Sequence, residues 1–410
     1  MGEIRAYRDD DFDAVARIWS EIRWLDDESK RDALKSYLAS GNVEVALVDG
    51  AAECMVHWTP GTMRHTDTDL GLCAITGVTT SPLGRKRGFA STMTARALRQ
   101  GAEAGHALAA LGMFEQGFYD RLGFGTGAEY LVYQFDPREL LLGDRPYRQP
   151  VRLTPDDWAD MHAAMLARQP AHGGVRLLPP EFTESDIGFG DKWFGLGYRD
   201  DGGELTHFFF GQLKEEHGPL GLRMVAYRTT DQLLELLRLL RELANQIRSV
   251  RMVEPPHVQI QALLREPMRD RHRTRSSEHE SGARAVSWWQ FRMLDVPTCV
   301  AAYSAPGASL EFNLTLIDPA ADRLDADGGS WCGVGGDYTI TIATTSSASP
   351  GHRAGLPLLT TDVNAFTRLW FGVRPAGTLA TSDAISAPPE LLDALDRTVR
   401  TPRPHPGWDF

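Results

Sequence analysis

The stretch ITGVTTSPLGRKRGFASTM, Ile75 to Met93, joins two kinds of structure. Its first part reads as a β-strand ending at Ser81-Pro82, and its last part opens a helix after the basic turn Arg85-Lys86-Arg87-Gly88. Such a turn presents several backbone N–H groups at the positive end of the helix dipole. Arg85, Lys86 and Arg87 add formal charge, and Gly88 permits close approach of the backbone to a ligand. A pyrophosphate suits this cradle. A basic glycine turn alone is equally compatible with a solvated hinge, so its neighbours settle the reading.

Upstream, EIRAY reads as a short strand, and Asp9 or Asp10 caps a helix with Phe12, Val15, Ile18 and Ile22 at near-helical spacing. VEVALVDG, AECMVHW and LCAITGVTTSP follow as strands closed by turn residues. Downstream, an amphipathic helix runs from about Phe89 to Ala104 and ends at Gly105; the apolar strand ALAALGMF and a last strand EYLVYQF complete the unit. Residues 1–146 are expected to form one α+β (α/β) domain.

Residues 147–292 repeat this order. TPDDWADMHAAMLARQ is a capped helix, ELTHFFFGQLK and GLRMVAYR form a hairpin, and TDQLLELLRLLRELANQI is an amphipathic helix. A diverged duplication is the natural reading. The corresponding turn, AYRTTDQ, has no basic glycine loop, so the loop's chemistry is expected in the first half only. From Arg265 to Arg284 the chain is charged, Ser-rich and poor in large apolar residues, which predicts an exposed or mobile excursion. His272 and His279 there lack acidic or Cys partners at ligand spacing, and no metal is expected. Residues 293–410 carry CVAAY, SLEFNLTLID and GDYTITIATT as strands, then TTDVNAFTRLWFG and PPELLDALDRTV as helices, a third α+β unit without a catalytic motif.

Bulk properties agree with several domains. The 410 residues are 42% hydrophobic and 24% charged, the balance of a globular chain. Neither a long apolar run nor an export signal follows Met1, so a cytoplasmic location is expected. A net charge of −12 disfavours nucleic acid and favours neutral or cationic substrates. Cys54, Cys73, Cys299 and Cys332 are widely spaced and read as buried small residues in a reducing compartment.

The pattern R-x-x-G-x-A after a strand containing V-T-T, followed by a helix, an apolar strand and FYDRLGF, resembles the GCN5-related N-acetyltransferases (GNATs). The order of a complete acetyltransferase domain, a second one without the loop, a third domain like a sterol carrier protein and an aromatic last residue resembles, within that superfamily, the Eis (enhanced intracellular survival) family. SPLGRKRGFAS and EQGFYDRLGFG match its cofactor and tyrosine motifs.

The resemblance implies an acetyl-CoA-dependent enzyme that acetylates amines, aminoglycoside-type polyamines foremost, by direct attack. It implies that Val78, Thr79 and Thr80 hold the acetyl and pantetheine portion, an N–H of Val78 stabilising the oxyanion. Arg85, Lys86, Arg87, Gly88, Phe89, Ala90 and Ser91 would surround the pyrophosphate, and Phe114 and Glu115 would flank the cofactor, although Phe114 stands where a small polar residue is usual. Tyr119 would be the general acid and the Phe410 α-carboxylate the base, with Glu115 as its rival. Trp24, Asp26 and Asp409 would meet the amine. A hexamer of two trimers is implied, with no membrane or nucleic-acid partner. His57, His65 and His106 read as strand or turn residues. The competing readings are a protein-lysine or small-metabolite acetyltransferase and a non-catalytic lipid-binding protein.

Overall fold

The computed structural model describes residues 2–325 and 329–410. Three sheets organise the described residues. In the first, the strands Ile4–Ala6, Asn42–Val48, Ala51–His65, Thr68–Thr80, Leu108–Gly112, Trp289–Met293 and Gly125–Thr126 lie in that spatial order, and Val175–Leu177 pairs with Ala51–His65. Alternate residues of the central hairpin point to opposite faces, as the two-residue period requires. Met55, Leu72 and Ala74 pack in a cluster with Val15 and Leu34 of the helices Phe12–Glu21 and Arg31–Ala39. Cys54, Val56, Cys73 and Ile75 pack on the other side with Phe89, Met93 and Leu98 of the helix Phe89–Glu103.

The second sheet has the order Gly282–Val286, Tyr130–Phe135, Val250–Val253, Leu220–Ala226, Leu205–Leu213, Trp193–Arg199 and Val151–Leu153. It repeats the first sheet's central device, a strand, a crossover helix and a parallel strand: Leu220–Ala226, the helix Thr230–Glu242 and Val250–Val253. The two units thus share one topological device. The third sheet, Ser347–Pro350, Gly336–Ile342, Leu310–Ile317, Leu358–Asp362 and Ile385–Ser386, is covered by the helices Val363–Trp370 and Pro389–Thr398 through Phe366, Trp370, Leu391 and Leu395. Among the described residues no helix is long and apolar enough to cross a membrane.

Several local expectations change. EYLVYQF does not close the first sheet: Tyr130–Phe135 pairs with Val250–Val253 and Gly282–Val286 in the second, while Trp289–Met293 crosses back to lie between Leu108–Gly112 and Gly125–Thr126. The chain leaves the first sheet at Gly127, where a side chain would collide with the Trp289 ring, and the Trp289 indole N–H bonds the Ala128 carbonyl at 3.0 Å. CVAAY is no strand; Val296–Ala301 is a short helix because the Asp295 side chain caps the Thr298 N–H at 3.0 Å. The charged segment after Arg265 is largely exposed but ordered as the helix Pro267–Thr274 and the edge strand Gly282–Val286, with Asp270 and Ser281 buried together. Cys54, Cys73 and Cys299 are buried, whereas Cys332 is exposed.

One buried ion pair locks the exchanged strand to the third unit. Arg292 and Asp318 are both shielded from solvent, and their side chains meet at 2.5 Å. Asp318 also accepts the N–H groups of Ala320 and Val334 at 3.0 Å each, so its lone pairs are used. Burial pushes the Asp318 carboxyl up, but the Arg292 charge and these hydrogen bonds hold it below the ordinary carboxylate value. Its contribution is therefore present at neutral pH and is lost as the pH falls through that lowered value. Asp318→Leu, which strands the guanidinium, should cost about 3–5 kcal/mol. Arg292→Met/Asp318→Leu should recover most of that loss, read as the midpoint of urea unfolding.

Candidate active site

The first sheet opens at its centre. Thr68–Thr80 and Leu108–Gly112 run parallel and pair from Leu72↔Leu108 to Ile75↔Leu111, then part. At that point Thr76 is an extra residue in the antiparallel ladder, since His57 pairs with Gly77 and Trp58 with Ile75. The bulge is held by side chains: Thr76 Oγ1 lies 2.5 Å from His57 Nδ1 and 3.1 Å from the Tyr37 hydroxyl. Burial pulls the His57 pKa down to about 3, so the ring is neutral and positions backbone. Beyond the bulge, Val78, Thr79 and Thr80 border the gap with no partner from Leu108–Gly112.

The basic turn sits over this gap. Buried Ser81 takes the Leu83 and Gly84 N–H groups on its hydroxyl at 3.2 Å each and itself bonds the Glu53 carboxylate. Glu53 in turn pairs with Arg17 at 2.9 Å. Gly84 is required, because a side chain there would press within 2.6 Å of the Glu53 carbonyl. Lys86 and Gly88 both adopt left-handed backbone angles, φ 61° and 79°. Arg85, Lys86 and Arg87 are exposed and form no ion pair among the described residues, and the first turn of Phe89–Glu103 contains no acid. Three cations without an ion pair among the described residues therefore immediately precede the N-terminus of a 15-residue helix, a sequence of charges suited to a di-anion.

Across the gap, Tyr119 is 2% exposed on the short helix Gln116–Asp120. Phe114, Phe118 and Phe124 meet its ring edge to face at 5.8, 4.8 and 6.0 Å. Burial, reinforced by the Glu115 charge, raises its pKa well above the usual phenol value, so the hydroxyl stays protonated. The turn that carries it is clamped from outside the domain. Asn364 of the third unit donates to the Asp120 and Phe124 carbonyls at 2.9 and 2.8 Å, and Gln290 of the exchanged strand donates to the Asp120 carboxylate at 2.7 Å. Arg292 bonds the Leu122 carbonyl beside Gly123, whose φ of 82° and crowding exclude a side chain.

The last residues arrive from the third unit by way of the second. His405 N–H bonds the His172 carbonyl and Val175 N–H bonds the Pro406 carbonyl, each at 2.8 Å. Trp408 is buried beneath the Arg168 guanidinium, 5.0 Å from the ring centre. Asp409 pairs with Arg223 at 2.6 Å, and Arg223 also holds Asp186. Phe410 ends against Gly112, where an added Cβ would lie 2.5 Å from the Phe410 main-chain oxygen. The structure thus brings Phe410 to the end of the strand that borders the gap.

The other expected residues are placed less simply. Phe114 is 69% exposed and Glu115 is exposed, Phe114 leaning on Tyr119. Asp26 is already paired with Lys30 at 2.7 Å and Asp409 with Arg223, so neither is an unmatched acid. Trp24 is half-exposed and stands edge-on to Trp19 at 5.3 Å. Trp19 belongs to an aromatic group absent from the sequence reading: Tyr37 lies at 5.0 Å and Phe189 at 5.5 Å from it, and Phe182 lies at 6.3 Å from Tyr37. Phe182 and Phe189 come from the second unit's helix Pro180–Phe189, which packs on Arg31–Ala39. The group abuts the bulge, since a side chain at Gly77 would meet the Tyr37 hydroxyl. No cluster of three metal-binding side chains occurs among the described residues.

Residues 3–127, which hold the opened sheet, the basic turn and Tyr119, match the acetyltransferase (GNAT) domain family. Over 107 residues the chain is 36% identical to an uncharacterized N-acetyltransferase and to the uncharacterized N-acetyltransferase ORF5, both of Streptomyces griseus. The match covers 24% of this chain and 26% of each relative, so it spans about a quarter of the curated proteins' length. The whole chain has the fold of Eis1 from Mycobacterium abscessus, with a TM-score of 0.75 at 15% identity over 100% of both chains. Comparable similarity in fold, TM-scores of 0.79 and 0.74 at 15% and 19% identity, is found to a probable N-acyltransferase of Enterococcus faecalis and a GCN5-related N-acetyltransferase of Kribbella flavida; both alignments cover 100% of this chain, and 100% and 99% of those chains.

Gly112→Val should expel the last residue while leaving the sheet intact. Carboxypeptidase A should release Phe410 at least tenfold faster from this variant than from the parent protein, with an unchanged far-ultraviolet circular dichroism spectrum.

Proposed function

We propose that this protein transfers the acetyl group of acetyl-CoA to an amine, with aminoglycoside-type polyamines as the acceptor class. The observation that carries the reading is the meeting at one opened sheet of three features: an unpaired cationic helix N-terminus, a buried protonated tyrosine and the end of the chain. Arg85 to Ser91 hold the pyrophosphate, while Val78, Thr79 and Thr80 border the acyl arm, with the Val78 N–H as the oxyanion donor. One preorganised donor of this kind is worth about 2.7–4 kcal/mol. Phe114 and Glu115 flank the cofactor from the turn that follows the opposite strand.

The amine nitrogen attacks the thioester carbonyl carbon, the C–S bond breaks and the sulfur leaves with the bonding pair. Tyr119 supports that departure. A phenol of pKa about 10 facing a thiol of about 8.5 already makes full proton transfer uphill by roughly 2 kcal/mol. Its raised pKa widens this gap, so Tyr119 acts chiefly as a hydrogen-bond donor to the developing thiolate. The Phe410 carboxylate, with an ordinary pKa near 3.5, is ionised and draws in the ammonium; it is too weak to deprotonate a free ammonium of pKa 9–10 directly, so the proton leaves through water. Trp24 and the surrounding rings cover the apolar parts of the acceptor. Asp26 and Asp409 bind further ammonium groups by exchanging Lys30 and Arg223 for them. A hexamer of two trimers belongs to the same reading.

A panel containing kanamycin, spermidine and a lysine-bearing peptide, assayed by thiol release from acetyl-CoA, tests it. Turnover is expected with kanamycin above that with the peptide; no turnover with any amine contradicts the proposal. Tyr119→Phe should lower kcat about 100-fold and leave acetyl-CoA affinity within twofold.

A further inference from the structure

The second sheet opens as the first does. Leu220–Ala226 and Val250–Val253 are parallel neighbours for two pairs only, Leu220↔Val250 and Gly221↔Arg251, and then separate. No basic glycine loop covers this second gap. It is instead the mouth of a cavity of about 400 Å³.

Its walls combine two kinds of surface. Apolar and aromatic groups come from the second sheet and the tail, among them Tyr130, Val132, Val225, Tyr227, Trp288 and Trp408. Four guanidinium-bearing residues, Arg168, Arg176, Arg223 and Arg251, line it against only two carboxylates, Glu254 and Asp409. Arg223 is matched by both Asp186 and Asp409, and Arg176 by Asp69 at 3.1 Å. Half-buried Arg168 meets carbonyls but no acid, bonding Val175 at 2.6 Å and Pro406 at 3.5 Å. Arg251 has no ion pair among the described residues. His405 also lines the space, and both of its ring nitrogens are buried without a hydrogen-bond partner. Among the described residues, Arg168 and Arg251 are therefore the two guanidinium groups of this lining that no carboxylate pairs.

We propose that the opened second sheet is a separate binding site for a small molecule joining one anionic group to an apolar, planar body. The anion faces Arg168 and Arg251, the body lies between Val225, Tyr227 and the tail, and His405 gains the polar neighbour that the protein denies it. A charge-assisted hydrogen bond to a guanidinium contributes roughly twice a neutral one, so charge rather than area sets the preference.

The test compares two dyes on the full chain. 8-Anilinonaphthalene-1-sulfonate carries the anion, and N-phenyl-1-naphthylamine has the same rings without it. The sulfonate should bind at one site per chain with a fluorescence gain, undisturbed by saturating acetyl-CoA. Arg251→Glu should weaken it at least tenfold, about 1.4 kcal/mol, while leaving the neutral dye within twofold. Val225→Trp should fill the cavity and abolish binding of both, its folding verified by an unchanged thermal midpoint with acetyl-CoA. Displacement of the sulfonate by acetyl-CoA, absence of saturable binding, or equal loss of both dyes in Arg251→Glu would overturn the proposal. None of these readings requires acetyl transfer, so the site stands or falls apart from the catalytic one.

Discussion

The buried pair of Arg292 and Asp318 is the constraint on which the arrangement depends. A guanidinium and a carboxylate, both removed from water, must remain together, because leaving either alone is far more costly than the pair is favourable. Arg292 lies on the strand that crosses back into the first sheet, Asp318 lies in the third unit, and Arg292 also bonds the carbonyl beside Gly123. One electrostatic requirement thereby fixes the exchanged strand, the docking of the third unit and the turn that presents Tyr119. Asn364 and Gln290 complete the clamp from the same two directions.

Docking the third unit in turn directs the tail. Trp408 under Arg168 and Asp409 on Arg223 are successive anchors, and each contact made through the second unit leaves fewer conformations for the next residue. Phe410 reaches Gly112 after these contacts have ordered the residues before it, and Pro404 and Pro406, both buried, restrict the unfolded alternatives further. The first gap then has a cationic rim where Arg85, Lys86 and Arg87 stand, and the chain end on the other strand. This polarity is what a di-anionic donor and a cationic acceptor require of one site.

The sequence made the local parts of this picture legible and hid the distant ones. The loop from Ser81 to Ser91 and the turn around Tyr119 are written in contiguous residues whose backbone demands, a left-handed Gly88 and a left-handed Gly123, show as glycines. The exchange of Tyr130–Phe135 for Trp289–Met293 has no such signature, since an apolar strand fits either sheet equally well by pattern. The helix at Val296 is signalled by Asp295 before Val-Pro-Thr, a capping sequence, whereas CVAAY on its own reads as a strand. The aromatic group around Tyr37 draws Phe182 and Phe189 from a segment about 150 residues away, and Gly112 and Arg223 gain their meaning only from the tail that reaches them. Pairing of Asp26 and Asp409 with cations is likewise a three-dimensional fact.

The central claim is that the carboxylate of Phe410, rather than its side chain alone, serves the reaction. Adding a Gly-Ser-Gly extension after Phe410 moves that charge and preserves every side chain. Steady-state kinetics with kanamycin, together with calorimetric titration of acetyl-CoA, measures the two consequences separately. The account predicts a loss of kcat/KM of at least 100-fold with an acetyl-CoA Kd unchanged within twofold; an extended protein with undiminished kcat/KM would contradict it.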